Sequence, residues 1–302
     1  MDNVVGVLGA SCYVGQALLP LLVRDDFDVI AFSRRVDDES IDIFDGEARQ
    51  WCESAKERIN WRAMSAIGPI CDRHTIPYWI SLAPIQILSQ FFDKIEASGA
   101  KRIVVLSSTS RFTKYDSSNP KDQVLARSFI DSEIALQNWA ENKGIEFVIL
   151  RPTLIYGLGK DKNVSEIIRL IRRFGFFPLL GETQGLRQPV HCHDVASACL
   201  SAISSVNATN KSYNLSGGEV LSYKEMVSRI FESLKLKPRF FKMPMFLLRA
   251  VIGLFRLIPR YRQWSFAMVE RMNKDMVFDH QGAVRDLNFK PRRFGLDAQD
   301  LP

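Results

Sequence analysis

An α/β fold built on a doubly wound parallel sheet is predicted from two observations. Short apolar runs alternate with helix-length segments through the first half of the chain, which calls for parallel strands joined by helices that cover both faces. The first apolar run also ends in a turn carrying two glycines, Gly9-Ala-Ser11-Cys12-Tyr13-Val14-Gly15, and a helical segment follows it.

Val4 to Leu8 reads as the first strand, Gln16 to Val23 as the first helix and Asp28 to Phe32 as the second strand. Glycines in the intervening turn let backbone N–H groups approach a pyrophosphate, and the helix N-terminus favours its negative charge. Asp37 to Asp45 is acidic and turn-like, and Ile59 to Arg62 forms a third strand. Tyr78 to Ala83 and Arg102 to Leu106 are the fourth and fifth strands, with a helix over Ile85 to Ser98 between them. Gln123 to Asn142 has a helical pattern that Gly144 terminates, and Ile145 to Leu150 is the next strand.

With 302 residues, 46% of them hydrophobic, the chain can bury a full core. Its five cysteines form no Cys-x-x-Cys pair, so structural disulfides are not expected and a reducing cytoplasm fits best. No signal-peptide pattern is present at the N-terminus. The net charge of +6 is unevenly placed: Ser233 to Val269 contains eight basic residues and no acidic one. Within that stretch, Met243 to Pro259 is apolar but interrupted by Arg249 and Arg256, too short and too charged to span a bilayer. Residues 236–262 therefore suit either a helix packed on the rest of the protein or a peripheral contact with the inner face of an anionic membrane. No nucleic-acid motif accompanies the basic cluster, and no nucleic-acid partner is expected.

The glycine turn is followed in order by Leu106-Ser-Ser-Thr109, Arg151-Pro-Thr-Leu-Ile-Tyr-Gly157, Arg187-Gln-Pro-Val-His191-Cys-His-Asp194, Tyr213-Asn-Leu-Ser-Gly-Gly218 and Leu287-Asn-Phe-Lys-Pro291. This series resembles the extended short-chain dehydrogenase/reductase family, in its NAD-dependent epimerase/dehydratase group, over nearly the whole chain. The resemblance implies a Rossmann-like domain over roughly residues 1–157. It also implies a smaller, interleaved C-terminal substrate lobe over 158–302, with a segment near 187–200 returning to the first domain. The expected ligand is a small molecule, in this family often a nucleotide sugar, with a homodimer also allowed.

Two departures stand out. The middle glycine of the family's loop is Cys12, and the Tyr-x-x-x-Lys pair is replaced by Leu125 and Phe129, a position anchored by the match of Glu133. A phenol beside an ammonium can exchange a proton at neutral pH, whereas leucine and phenylalanine cannot. The resemblance implies that Thr109 is the catalytic hydroxyl; the nearby ionisable groups that could replace the missing pair, none at the family spacing, are Tyr115 and Lys114 on the same loop, Lys121, and Tyr156 in the Arg-Pro turn. It implies cofactor binding by Gly9, Ser11, Cys12, Tyr13, Val14, Gly15, Leu82, Ala83, Ser107, Pro152 and Thr153. Substrate contacts are implied for Ser108, Tyr156 and Arg187, with Arg260 or Arg262 as a second clamp.

Ser33-Arg34-Arg35 stands where an acidic side chain would bind the ribose of NAD, so NADP is the preferred cofactor, with NAD as the alternative. Met64 and Ser65 occupy the place where many relatives carry an adenine-contacting Asp. His191-Cys192-His193-Asp194 is expected to bind no metal, because adjacent strand residues face opposite ways; Asp194 is expected to cap a helix. The expected function is that of a nucleotide-sugar epimerase, dehydratase or reductase. The alternatives are a non-catalytic NADP-binding sensor or assembly protein, and a membrane-associated reductase acting on an apolar or lipid-linked substrate.

Overall fold

The computed structural model describes residues 3–34, 55–67, 75–180, 184–243 and 272–302. The first strand, β1 (Val4–Leu8), leads through the glycine turn into α1 (Tyr13–Arg24), and β2 (Asp28–Ser33) and β3 (Ile59–Ala63) lie to one side of it. On the other side lie β4 (Tyr78–Ser81), β5 (Arg102–Leu106), β6 (Glu146–Pro152) and, from further along the chain, Lys211–Leu215. All seven strands are parallel.

Period-two alternation along these strands sorts the core into two layers. Val5, Val7, Val104, Val148 and Leu150 face a cluster that holds α1 and a later helix, Cys192–Ser204. Val4, Leu8, Ile103, Val105, Phe147 and Ile149 face a second cluster, into which α2 (Phe92–Ala97) sends Ile95. Beyond α3 (Ser110–Thr113), the long α4 (Pro120–Lys143) adds Leu136 and Ala140 to that second layer. The sheet is thus covered on both faces, and this explains the fully buried run of β1.

The helix expected over Ile85 to Ser98 is split: Ile85–Phe91 is a 3₁₀ helix, and only the rest is α-helical. Ile85 and Leu88 are buried and Phe91 packs beside them, and a spacing of three aligns on one face of a 3₁₀ helix. The α4 helix begins before the expected Gln123, because the Asn119 side chain accepts from Lys121 N–H and Pro120 takes the first turn. It ends at Gly144 in the left-handed conformation (φ +65°).

The chain then forms β7 (Ile155–Tyr156), α5 (Val164–Phe174), β8 (Phe177–Leu180), β9 (Leu186–Arg187) and β10 (Val190–His191). These are followed by α6 (Cys192–Ser204), β11 (Lys211–Leu215), β12 (Leu221–Ser222), α7 (Tyr223–Ser233), β13 (Phe240–Met243) and α8 (Gln281–Leu287). A third apolar cluster joins α5, α7, Tyr156, Phe177 and Phe294.

Asp194 does not cap α6. The helix starts two residues earlier with His191 as its cap, whose side chain accepts from His193 N–H, while Asp194 binds the backbone N–H and guanidinium of Arg292 at 2.9 Å. Asp37 to Asp45, Arg35, Arg260 and Arg262 lie outside the described residues, as does most of the 236–262 stretch. Among the described residues no helix is long and apolar enough to cross a membrane.

Candidate functional site

The glycine turn is shaped by close approach. Gly9 has φ +76°, and a Cβ there would lie 2.8 Å from the Ala83 nitrogen; at Gly15 a Cβ would lie 2.1 Å from the Ala10 carbonyl oxygen. Neither position accepts a side chain without backbone movement. Leu82 and Ala83 therefore form the wall against which the turn closes, and Leu82 N–H donates to Leu8 O at 2.8 Å. Val14 is buried in the first core layer.

Cys12 has taken a capping role that a glycine could not fill. Its Sγ accepts from Gly15 N–H at 3.3 Å, and burial pushes its thiol up from the ordinary range, so it stays a neutral acceptor. The cradle fits a dinucleotide pyrophosphate at Gly9 and Gly15, although the thiol already engages one of its N–H groups. Ser33 is buried at the end of β2 and its hydroxyl lies 2.9 Å from that of Ser11, while Arg34 beside it is exposed. Met64 and Ser65 fall in a 3₁₀ turn after β3.

A cavity of about 440 Å³ opens beside the turn. Its lining joins Tyr13 of α1, Ser108 and Thr109 after β5, Thr113 and Lys114 at the end of α3, Thr153 after β6, and Arg187 of β9. The Thr109 hydroxyl donates to Pro152 O at 3.2 Å, which fixes it at the strand ends. Burial pushes the Tyr13 phenol up, with Asp161, Cys12 and Cys192 adding to the shift, so Tyr13 offers a neutral hydroxyl and not a base. Arg187 is buried; its Nη1 donates to Leu186 O and Lys274 O, both at 2.7 Å, and its guanidinium lies 5.5 Å from the Tyr223 ring centre. Backbone carbonyls thus hold one arm of the expected diphosphate clamp.

Of the expected substitutes for the missing pair, Lys114 reaches the cavity. Its ammonium sits 3.2 Å from Asp122, a buried carboxylate of α4. Tyr115, the next residue, is 58% exposed and is not part of the cavity lining. Tyr156 is fully buried, edge-on to both His191 and Phe294, so the structure places it in the core and not at the cavity wall. Leu125 and Phe129 do not line the cavity either; Phe129 packs against the second core layer. Among the described residues the cavity lining contains two cations and five Ser or Thr hydroxyls but no carboxylate. This arrangement can hold an anionic, hydroxyl-rich molecule, and its described lining residues include no carboxylate or histidine to act as a base.

Sequence reasoning missed Asp122, Asn163, Gln188 and Met276. Asp122 carried only the signal of an acid in the first turn of a helix, and Met276 reaches the cavity through a single parallel bridge to Arg187. The Ser107 hydroxyl donates to Glu133 at 2.5 Å, which leaves it only as an acceptor toward a ligand. Glu133 also receives Arg111 and Arg151 (2.7 Å from Arg151 Nη2), forming a buried ion cluster under the site.

The ligand atoms of His191, Cys192 and His193 lie within 4.8 Å of one another, closer than alternation along a strand predicts, because the strand becomes α6 at Cys192. Both His191 nitrogens are already engaged: Nε2 lies 3.0 Å from Asp300, and Nδ1 accepts from His193 N–H. Burial pushes the Cys192 thiol up to about 12.

Comparison with known proteins gives the chain's relationships. The chain is 26% identical over 214 residues to an uncharacterised Sinorhizobium fredii protein, y4nG, covering 66% of this chain and 52% of that one. It is 23% identical over 240 residues to NADH dehydrogenase [ubiquinone] 1 alpha subcomplex subunit 9, mitochondrial, of Dictyostelium discoideum, covering 76% and 63%. The matched part therefore spans less than two thirds of either relative. Among solved structures, UDP-glucuronic acid 4-epimerase from Bacillus cereus in complex with NAD superposes with a TM-score of 0.69 at 14% identity, over 98% of this chain and 95% of that one, a likeness of fold. The family model described as the NAD dependent epimerase/dehydratase family matches residues 5–216, and the chain belongs to that family.

Proposed function

We propose that this chain binds NAD(P) across the glycine turn and holds an anionic small molecule, of the nucleotide-sugar class, in the adjoining cavity. The observation that carries this reading is the continuity of the cavity from Tyr13, on the helix that follows the cradle, to Thr109 and Arg187. A nicotinamide bound there would supply hydride chemistry to a sugar carbon. Gly9 and Gly15 would hold its pyrophosphate, Thr109 would bond the substrate oxygen, and Lys114 and Arg187 would offset the ligand's charge. The exposed Arg34 and the absence of a carboxylate at Ser33 support a preference for NADP over NAD. The Bacillus cereus neighbour, described as a complex with NAD, supports the cofactor class. In this reading the cofactor unit comprises roughly residues 1–157 together with the later segments α6 and β11 that return to its sheet, and the substrate unit takes the rest of 158–302.

The weak point of catalysis is proton transfer, so turnover on ordinary UDP-sugars should be slow or absent despite cofactor binding. Calorimetric titration with NADPH and NADH, followed by single-turnover assays with UDP-glucose and UDP-glucuronate, tests both halves; no dinucleotide binding would reject the reading. Installing Leu125→Tyr with Phe129→Lys separates two outcomes. Gained turnover would mean the remaining site is competent. No gain, with cofactor retained, would favour the second reading, a non-catalytic NADP-binding or assembly protein. That second reading is supported by the apolar residues at 125 and 129 and by the relative named as an NADH dehydrogenase subunit.

A further inference from the structure

The side of the molecule formed by α5, β8 and β13 carries a chain of exposed aromatic rings that the cavity does not use. Phe174 and Phe241 are each 50% exposed and Phe176 is 41% exposed. The ring of Phe176 lies 6.2 Å from both Phe174 and Phe241, so the three form one continuous apolar strip. The strip is a product of tertiary structure: parallel pairing of β13 with β8, and the bond from Phe177 N–H to Arg239 O at 2.9 Å, bring together segments some sixty residues apart. Large aromatic side chains left in water in one row mark an interaction surface.

Within the two chain segments that carry the rings the side-chain charge is of one sign. Arg173, whose guanidinium sits 5.3 Å over the Phe174 ring, is exposed, and Lys235, Leu236, Lys237 and Arg239 are exposed in the segment that leads into β13. Residues 167–180 and 233–243 contain no acidic residue. The acids that flank these segments along the chain are Glu166, which pairs with Arg169, and Glu182 and Glu232. Arg172 donates to Pro302 O and is therefore partly occupied. Immediately after Met243 the sequence continues as an apolar stretch punctuated by arginines and free of acidic residues up to Val269.

We propose that Phe174, Phe176 and Phe241, with Arg173, Lys237 and Arg239, form a docking site for an anionic phospholipid surface. The rings enter the headgroup boundary while the cations meet lipid phosphates. The inference goes beyond the cavity reading and stands whether or not the cavity is catalytic.

The test is co-sedimentation of the full chain with vesicles of phosphatidylcholine alone or mixed with phosphatidylglycerol. Binding is expected only to the mixed vesicles and should be released by high salt. Each cation near an anionic surface contributes about fivefold, so R173Q/K237Q/R239Q should weaken binding about a hundredfold. F174S/F176S/F241S should weaken it at unchanged charge, with the thermal unfolding midpoint retained. If either triple variant fails to fold, Phe174→Ser and Arg173→Gln alone carry the test. Equal binding to both vesicles, or no binding to either, would overturn the proposal. So would full binding by F174S/F176S, which would show that the aromatic strip is not what attaches the protein. A change from oligomer to monomer in the phenylalanine variant, without a change in vesicle binding, would assign the strip to a second copy of the chain and also overturn it.

Discussion

At Cys12 one atom changes the character of the cofactor turn: the thiol caps α1 through Gly15 N–H, where a glycine would leave that donor for a phosphate. Cys12→Gly is therefore expected to preserve or tighten dinucleotide binding, whereas Gly9→Val, forced against Ala83 at φ +76°, should abolish it. Both are read by calorimetry, and tight binding by Gly9→Val would mean that the cofactor sits elsewhere. Arg34 is the described half of the arginine pair on which the proposed NADP preference rests. Arg34→Ala should narrow the NADPH-over-NADH preference by about 1.5–3 kcal/mol if the guanidinium forms a charge-assisted fork. Equal wild-type affinities for the two cofactors would remove the basis for that preference.

At the scale of elements, α4 is fastened to the sheet through Glu133, which accepts from Ser107 at the end of β5, from Arg151 in β6 and from Arg111 in α3. The cluster fixes the ends of the two strands from which Thr109 and Thr153 reach the cavity. Burial lowers the Arg111 pKa, and Glu133 opposes that shift, so the pair depends on the carboxylate for its charge balance. Glu133→Gln leaves two arginines without a counter-charge and should destabilise the fold by about 3–5 kcal/mol. Loss of the Asn119 cap in Asn119→Ala should cost only about 1 kcal/mol. Urea unfolding of the two variants checks the order: similar midpoints would mean that Glu133 contributes no more than a helix cap.

Across the whole molecule, the C-terminal residues are tied to the centre by one carboxylate. Asp300 accepts from Leu158 N–H at 2.9 Å and from Asp297 N–H at 3.2 Å, and it lies 3.0 Å from His191 Nε2. Burial works against its charge, but the His191 hydrogen bond and the backbone donors prevail and hold its carboxyl below the ordinary value. A depressed folded-state pKa contributes stability above the unfolded-state value, near 4, and that stability disappears as pH falls through the folded-state pKa. Asp300→Asn should therefore lower the urea midpoint at pH 7, and its deficit against wild type should shrink below about pH 4. A deficit independent of pH would show that the carboxylate's charge is not what holds this contact.

The sequence by itself determined the features whose causes are local. Strand and helix periods predicted the order of the sheet-forming runs, Gly9 and Gly15 marked the tight turn, Gly144 ended α4, and the identities of Leu125 and Phe129 removed the expected proton-transfer pair. Only the tertiary structure decided which side chains meet. Tyr156 and Tyr115 were both candidates along the chain, yet one is buried against Phe294 and the other projects into water, while Lys114, next to Tyr115, is held at the cavity by Asp122. The Arg187 clamp was legible as a residue type, but its engagement by Lys274 O required a segment 87 residues away. The strip of Phe174, Phe176 and Phe241 required the pairing of β8 with β13. Backbone propensity and capping act within a few residues, whereas burial, ion pairing and pocket shape depend on chain segments whose separation in sequence carries no information about their distance in space.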